Sequence, residues 1–301
     1  MNGLHEAILK TLVYRDLFDF PLTEEEIAGF LIEASANPLA VRRELAQMVA
    51  EGKIGAEDGF YFLEGRKGIA RKRVRRTEIS GRKYEYAFEL SQYLRRIPWV
   101  RAVFLTGALA AGNAGEDDDL DFMIIAAPGR VWLTRFLAYL FFTVLGVRRE
   151  PEMENAPDMV CLNMFLSEES LTLPEGERNL FTAHEICLAR PLWAKDRLHL
   201  RFLAENAWVQ EFFPNFELQK PNSEAPRETN LFRQGLDGLL NRVDGLAHRI
   251  QLWYMAPRRT REIVERDRIM FHPVDLSRKV LSAFKVRLYA IGHADHEAPK
   301  A

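Results

Sequence analysis

Apolar positions recur at helical spacing through the first fifty residues. Leu4, Ile8 and Leu12 fall on one helical face. Pro21 interrupts the pattern, and Thr23-x-x-Glu26 reads as a capping box that opens a second helix. Asn37-Pro38 opens a third, with Val41, Leu45, Met48 and Val49 as its apolar stripe and Gly52 as its stop. The period then shortens. Lys53-Ile54, a turn through Gly59 and Phe60-Tyr61-Phe62-Leu63 predict a two-stranded hairpin. Tyr86, Leu90, Tyr93 and Leu94 predict a helix over 84–98, ended by Ile97-Pro98. Three apolar runs follow as strands: "WVRAVFLTG", Leu120 to Ile125, and "MVCLNMFLS" from Met159 to Ser167. Pro128-Gly129 turns the chain into a helix from about Val131 to Leu145. Later residues read as mostly helical. The segment from Gln219 to Asn230 is the expected linker, and 231–256 and 274–288 are long amphipathic helices.

The expected fold class is therefore α/β (α+β): a small mixed sheet with helices, preceded by a helix-rich module and followed by a helical region. The expected divisions are 1–64, 65–98, 99–221 and 222–301. Three short helices and a hairpin in 1–64 resemble a winged helix-turn-helix. Charge speaks against DNA as the partner of this module. It holds twelve acidic residues against five basic ones, and phosphate neutralisation supplies most non-specific DNA affinity. Arg42 and Arg43 are the only pair suited to phosphate or guanine, so a structural or protein-contact role is favoured. The sign then reverses. Arg66 to Lys83 carries nine bases and one acid, Glu78. Such a run is either a solvated helix packed on the acidic module or a phosphate or RNA contact.

Composition adds little bias: 301 residues, 48% hydrophobic, 28% charged, net charge -2. That balance gives no global attraction to nucleic acid or acidic lipid. Cys161 and Cys187 are too few for a disulfide framework. The first residues show no signal-peptide pattern, and a cytoplasmic setting is expected. Phe136 to Val147 is a dozen uncharged residues. A membrane-spanning helix needs about 20, so a buried or amphipathic core helix is expected there, with no membrane partner.

The chemistry lies in "LTGALAAGNAGEDDDLDFMII", Leu105 to Ile125. Residues two apart on a strand share a face. Asp119 and Asp121 therefore project together, while Leu120 and Phe122 point to the core. Two carboxylates held side by side raise each other's pKa, and a bound cation relieves the repulsion. Hard divalent ions take such oxygens and keep substrate phosphates as further ligands. Upstream, a strand ends at Thr106-Gly107-Ala108, where a glycine permits close approach to a phosphate. Glu116 to Asp118 read as a solvated loop.

This arrangement resembles the nucleotidyltransferase superfamily, the fold of DNA polymerase beta. There a strand leads to Gly-Ser or Gly-Gly and, about ten residues on, to Asp-x-Asp. Here the match is Gly107-Ala108, ten residues, and Asp119-Leu120-Asp121, within Val100 to Ser167. The resemblance implies that Thr106, Gly107 and Ala108 bind a nucleoside triphosphate, and that Asp119 and Asp121 are catalytic and bind Mg2+ or Mn2+. Two departures are visible. Ala108 lacks the hydroxyl expected after the glycine. On the following strand, where the family places a third acid, the best-placed polar residue is Asn163. It is a candidate metal ligand through its oxygen, but it cannot take a proton. Arg130 and Arg135 are candidates to face the triphosphate. His184-Glu185 lacks a second histidine at zinc spacing and reads as part of a capped helix. Two functions follow: nucleotidyl transfer to a hydroxyl acceptor, RNA or protein, or a catalytically inactive fold that binds a nucleotide or a protein.

Overall fold

The computed structural model describes residues 3–150, 153, 155–218, 231–256, 263–270 and 274–297. The expected linker from Gln219 to Asn230 lies outside the described residues.

Helices α1 (Gly3–Asp16), α2 (Glu24–Gly29) and α3 (Pro38–Ala50) precede a hairpin of β1 (Ile54–Glu57) and β2 (Phe60–Leu63). The starts follow from local chemistry. The Thr23 hydroxyl accepts the Glu26 amide at 3.2 Å, and the Glu26 carboxylate accepts the Thr23 amide at 2.9 Å. Asn37 caps α3 by accepting the Ala40 amide at 2.8 Å, with Pro38 in the first turn. Asp58 and Gly59 both take positive φ, which lets β1 and β2 pair tightly.

The next element joins the basic run and the helix expected over 84–98 in one helix. α4 (Ile69–Leu94) is 26 residues long. Its N-terminal half lies on the acidic module. Arg66 bonds Asp16 at 2.7 Å and also reaches Asp19, Lys72 bonds Asp19 at 2.6 Å, and Arg73 bonds Glu26 at 2.8 Å. Arg73 and Arg15 also stack on Phe20, at 3.5 and 4.0 Å from the ring centre. The basic run thus packs on the acidic module, while Lys67, Arg71, Arg75 and Arg82 stay exposed.

The sheet has six strands in the order β6-β3-β4-β5-β8-β7: β3 (Val100–Leu105), β4 (Leu120–Ala126), β5 (Val160–Ser167), β6 (Arg190–Ala194), β7 (Ile263–Val264) and β8 (Arg268–Met270). Among the strands of the described residues, β4 and β5 pair in parallel and the other neighbours antiparallel. The sequence pattern missed β6, β7 and β8. They are two to five residues long, too short to show a period of two. α5 (Gly107–Ala110) follows β3, and α6 (Val131–Val144) bridges β4 to β5. α7 (Leu180–Leu188), α8 (Leu198–Glu205), α9 (Leu231–Met255) and α10 (Val274–Glu297) complete the chain.

Strand alternation divides the core. Leu120, Phe122 and Ile124 face a cluster with Trp132, Phe142 and the C-terminal half of α4. Met123 and Ile125 face a second cluster with Ile186, Phe202 and Phe213, which continues into Ile8, Leu12 and Leu45 of the N-terminal module. The Phe136 to Val147 stretch lies mostly in α6, which buries Ala138 and Phe142 and leaves Phe136, Leu140 and Val144 exposed. No helix among the described residues is long and apolar enough to cross a membrane.

Candidate functional site

β4 enters the sheet at Leu120, which is fully buried, as is Phe122. Alternation therefore turns Asp119 and Asp121 to the opposite face, at the N-terminal end of the strand. The adjacent end of β3 continues the ladder, with the Thr106 amide donating to the Asp121 carbonyl at 3.0 Å. Gly107 comes next, with φ +66°. A Cβ there would lie 2.5 Å from Asp121 Oδ2. Glycine is thus required both by the left-handed turn and by the carboxylate beside it. Ala108 is exposed on α5, and the Thr106 hydroxyl stays 3.5 Å from the Asp121 carbonyl.

Each carboxylate has a partner from far along the chain. Asp119 Oδ2 accepts Arg149 at 2.5 Å. Asp121 Oδ1 accepts the Asn163 amide nitrogen at 2.7 Å. Asn163 is placed by a bulge. Phe122 pairs with Leu162 and Met123 with Met164, so Asn163 has no counterpart across the strand pair. Cys161 lies directly opposite Asp121 in the register, and its thiol bonds the carboxylate. Ligand atoms of Asp119, Asp121 and Cys161 all lie within 4.8 Å of one another. Burial first, and Asp119 second, push the Asp121 carboxyl up to about 8. Burial pushes the Cys161 thiol up as well, so it stays protonated.

A third acid comes from α7. The Glu185 carboxylate accepts the Gly107 amide, and burial pushes its pKa up to about 7. Asn179 caps α7 and aims it at the loop. The preceding His184 is buried, bonded to the equally buried Arg15, and held well below its ordinary pKa by burial and that guanidinium.

The acidic loop is divided. Glu116 and Asp117 are exposed, but Asp118 is half-buried and accepts the Gly115 amide at 2.8 Å. Arg130 is not near the pair. It follows the opposite end of β4, about 17 Å from Asp121 at the usual rise per residue, and bonds Asn241 of α9 and the Gly129 carbonyl. Arg135, also buried, bonds Gln251. Both arginines hold α9 on α6; β4 runs away from the acidic pair and carries them with it.

Asp119 and Asp121 are the residues that could hold a divalent cation. They offer hard oxygens, and a cation would offset the repulsion between the two carboxylates. The protonated thiol is a poor partner for magnesium, and Asn163 presents its nitrogen, not its oxygen, to Asp121. The sequence reading missed Cys161, Arg149 and Glu185. Only Cys161 had a signal, lying two residues from Asn163 on the same strand.

No family model, curated protein or solved structure matches this chain. What the site can do rests on its own geometry.

Proposed function

We propose that the chain is a nucleotidyltransferase-type protein. It binds a nucleoside triphosphate together with Mg2+ or Mn2+ at Asp119 and Asp121, and transfers the nucleotidyl group to a hydroxyl of an RNA or protein acceptor. The observation that carries this reading is the carboxylate pair at the start of β4, with Gly107 in contact with Asp121 Oδ2. When bound, the cation would neutralise phosphate charge and orient the triphosphate. In the transfer, the acceptor oxygen bonds the α-phosphorus, pyrophosphate leaves, and the hydroxyl proton passes to a base. β5 offers no carboxylate for that proton, only Cys161 and Asn163. Glu185, on the Gly107 amide, has a pKa pushed up to about 7 and is the base proposed for that proton. Residues 1–64 are read as a winged-helix-like module that makes protein contacts.

A second reading has its own support. Arg149 already neutralises Asp119, and Glu185 already occupies the Gly107 amide that a phosphate would use. In that reading the fold binds a nucleotide without transferring it.

Magnesium-dependent binding and turnover of the four nucleoside triphosphates, in wild type and Asp121→Ala, separates the two. Binding and turnover that are both lost in the variant support the enzyme. Tight binding with no turnover, across RNA and protein acceptors, supports the binding module. No metal-dependent binding by the wild type overturns both.

A further inference from the structure

The basic run of α4 does more than neutralise the acidic module. Arg73, Arg76, Ser80 and Lys83 lie at spacings of three, four and three residues, along one helical stripe. The stripe first grips the N-terminal module and then the loop that leads to the acidic pair. Arg73 bonds Glu26. Arg76 bonds the Phe18 carbonyl at 3.3 Å and Asn113 at 3.0 Å. The Ser80 hydroxyl accepts the Ala114 amide at 3.0 Å. Lys83 ends the series, only 4% exposed. Its ammonium donates to the Glu116 carbonyl at 2.9 Å, the Asp118 carbonyl at 2.8 Å and Asp158 Oδ1 at 2.7 Å.

Three donors, three acceptors and near-complete burial make this a full clamp. Two of the acceptors are backbone carbonyls of the acidic loop, and the second belongs to the residue before Asp119. The third comes from the turn before β5, where Asp158 holds a left-handed φ of 60° and its amide donates to the same Asp118 carbonyl at 3.3 Å. One ammonium therefore ties α4, the loop before β4 and the turn before β5 at a single point. A loop with four consecutive acids repels itself, and no helix or sheet ladder holds 115–119. Arg82 and Arg149 pair with the Glu116 and Asp119 side chains, and the clamp restrains the backbone between them.

We propose that Lys83 is a positioning residue: by clamping the Glu116 and Asp118 carbonyls to α4 and to Asp158, it holds Asp119 beside Asp121 in cation-binding geometry. The inference rests on the cation site proposed above. Its sign separates it from plain electrostatics. An ammonium bonded to the Asp118 carbonyl, next to Asp119, opposes a cation, so loss of its charge alone would not weaken cation binding. Loss of the clamp weakens it.

The test is Mn2+ titration of the full chain, wild type and Lys83→Met, followed by the paramagnetic resonance of the free ion, with folding checked by circular dichroism and urea unfolding. The clamp predicts binding at least tenfold weaker in the folded variant. Asp158→Asn, which keeps Lys83 and both carbonyl bonds, should bind within a fewfold of wild type. Unchanged or tighter binding by folded Lys83→Met overturns the inference while leaving the cation site standing. Absence of Mn2+ binding by the wild type overturns the cation site, and the inference falls with it. If Lys83→Met does not fold, Lys83→Gln takes its place and is read the same way, since its amide nitrogen ends one bond short of the lysine nitrogen and cannot hold both carbonyls at hydrogen-bond distance.

Discussion

Asp121 carries the most consequential charge in the molecule. Its carboxyl titrates near 8 in the folded chain, against about 4 in an unfolded one. Between those values the folded state holds a proton that the unfolded state has lost, so stability falls as pH rises through the window and levels off above 8. Asp121→Asn removes that slope. Urea unfolding should show the variant matching wild type near pH 4 and exceeding it by roughly 1–3 kcal/mol at pH 8.5, less than full linkage because the carboxylate reaches some solvent. Equal pH slopes in the two proteins would contradict the assignment. Cation binding should carry the opposite sign. Protons compete for Asp121, so Mn2+ affinity should drop as pH falls below 8, approaching tenfold per unit, with a proton released on binding. Calorimetry in buffers of different ionisation enthalpy measures that release directly. Parts of this were legible in the sequence: the Asp-x-Asp parity, the glycine and the third strand. Arg149 was not, because a partner thirty residues away is set by how the chain returns after α6, not by any local pattern.

At the scale of elements, two contacts decide whether the site is held in shape. Gly107 joins β3 to α5 in a left-handed turn against Asp121. Gly107→Ala should cost about 2 kcal/mol or more, read by thermal or urea unfolding, because the new Cβ adds a close contact to an unfavourable φ. A near-neutral effect would mean that the turn relaxes without moving Asp121. Further away, α4 meets the N-terminal module through Arg73, which pairs with Glu26 and stacks on Phe20. Arg73→Ala should destabilise by roughly 1–3 kcal/mol. A double-mutant cycle with Glu26→Gln then apportions the loss between ion pair and ring. The helix caps at Thr23 and Asn37 were readable in advance, since each needs only four consecutive residues. The unbroken length of α4 was not. Its first half has charge on nearly every side and shows its function only against the acidic module it neutralises.

For the whole molecule, the distribution of charge limits what it will bind. The N-terminal module carries a large acidic excess, and Arg66, Lys72 and Arg73 are paired with its carboxylates rather than open to a phosphate backbone. Random-sequence duplex DNA should therefore not be retarded by micromolar protein in a gel-shift measurement at 0.15 M salt, where phosphate contacts dominate non-specific affinity. Retardation that weakens steeply with salt would show that Lys67, Arg71, Arg75 and Arg82 form a nucleic-acid surface after all. By itself, the sequence determined the caps, the helical stripes, the hairpin and the faces of the central strands, because each depends on neighbours within a few residues. Only the tertiary structure decided who stands beside whom: Cys161 opposite Asp121, Asn163 turned in by a bulge, Glu185 on the Gly107 amide, Lys83 under the acidic loop, and Arg130 at the wrong end of β4. Those neighbours are fixed by strand register and by helices docking their apolar faces, and both are chosen by burial over the entire chain.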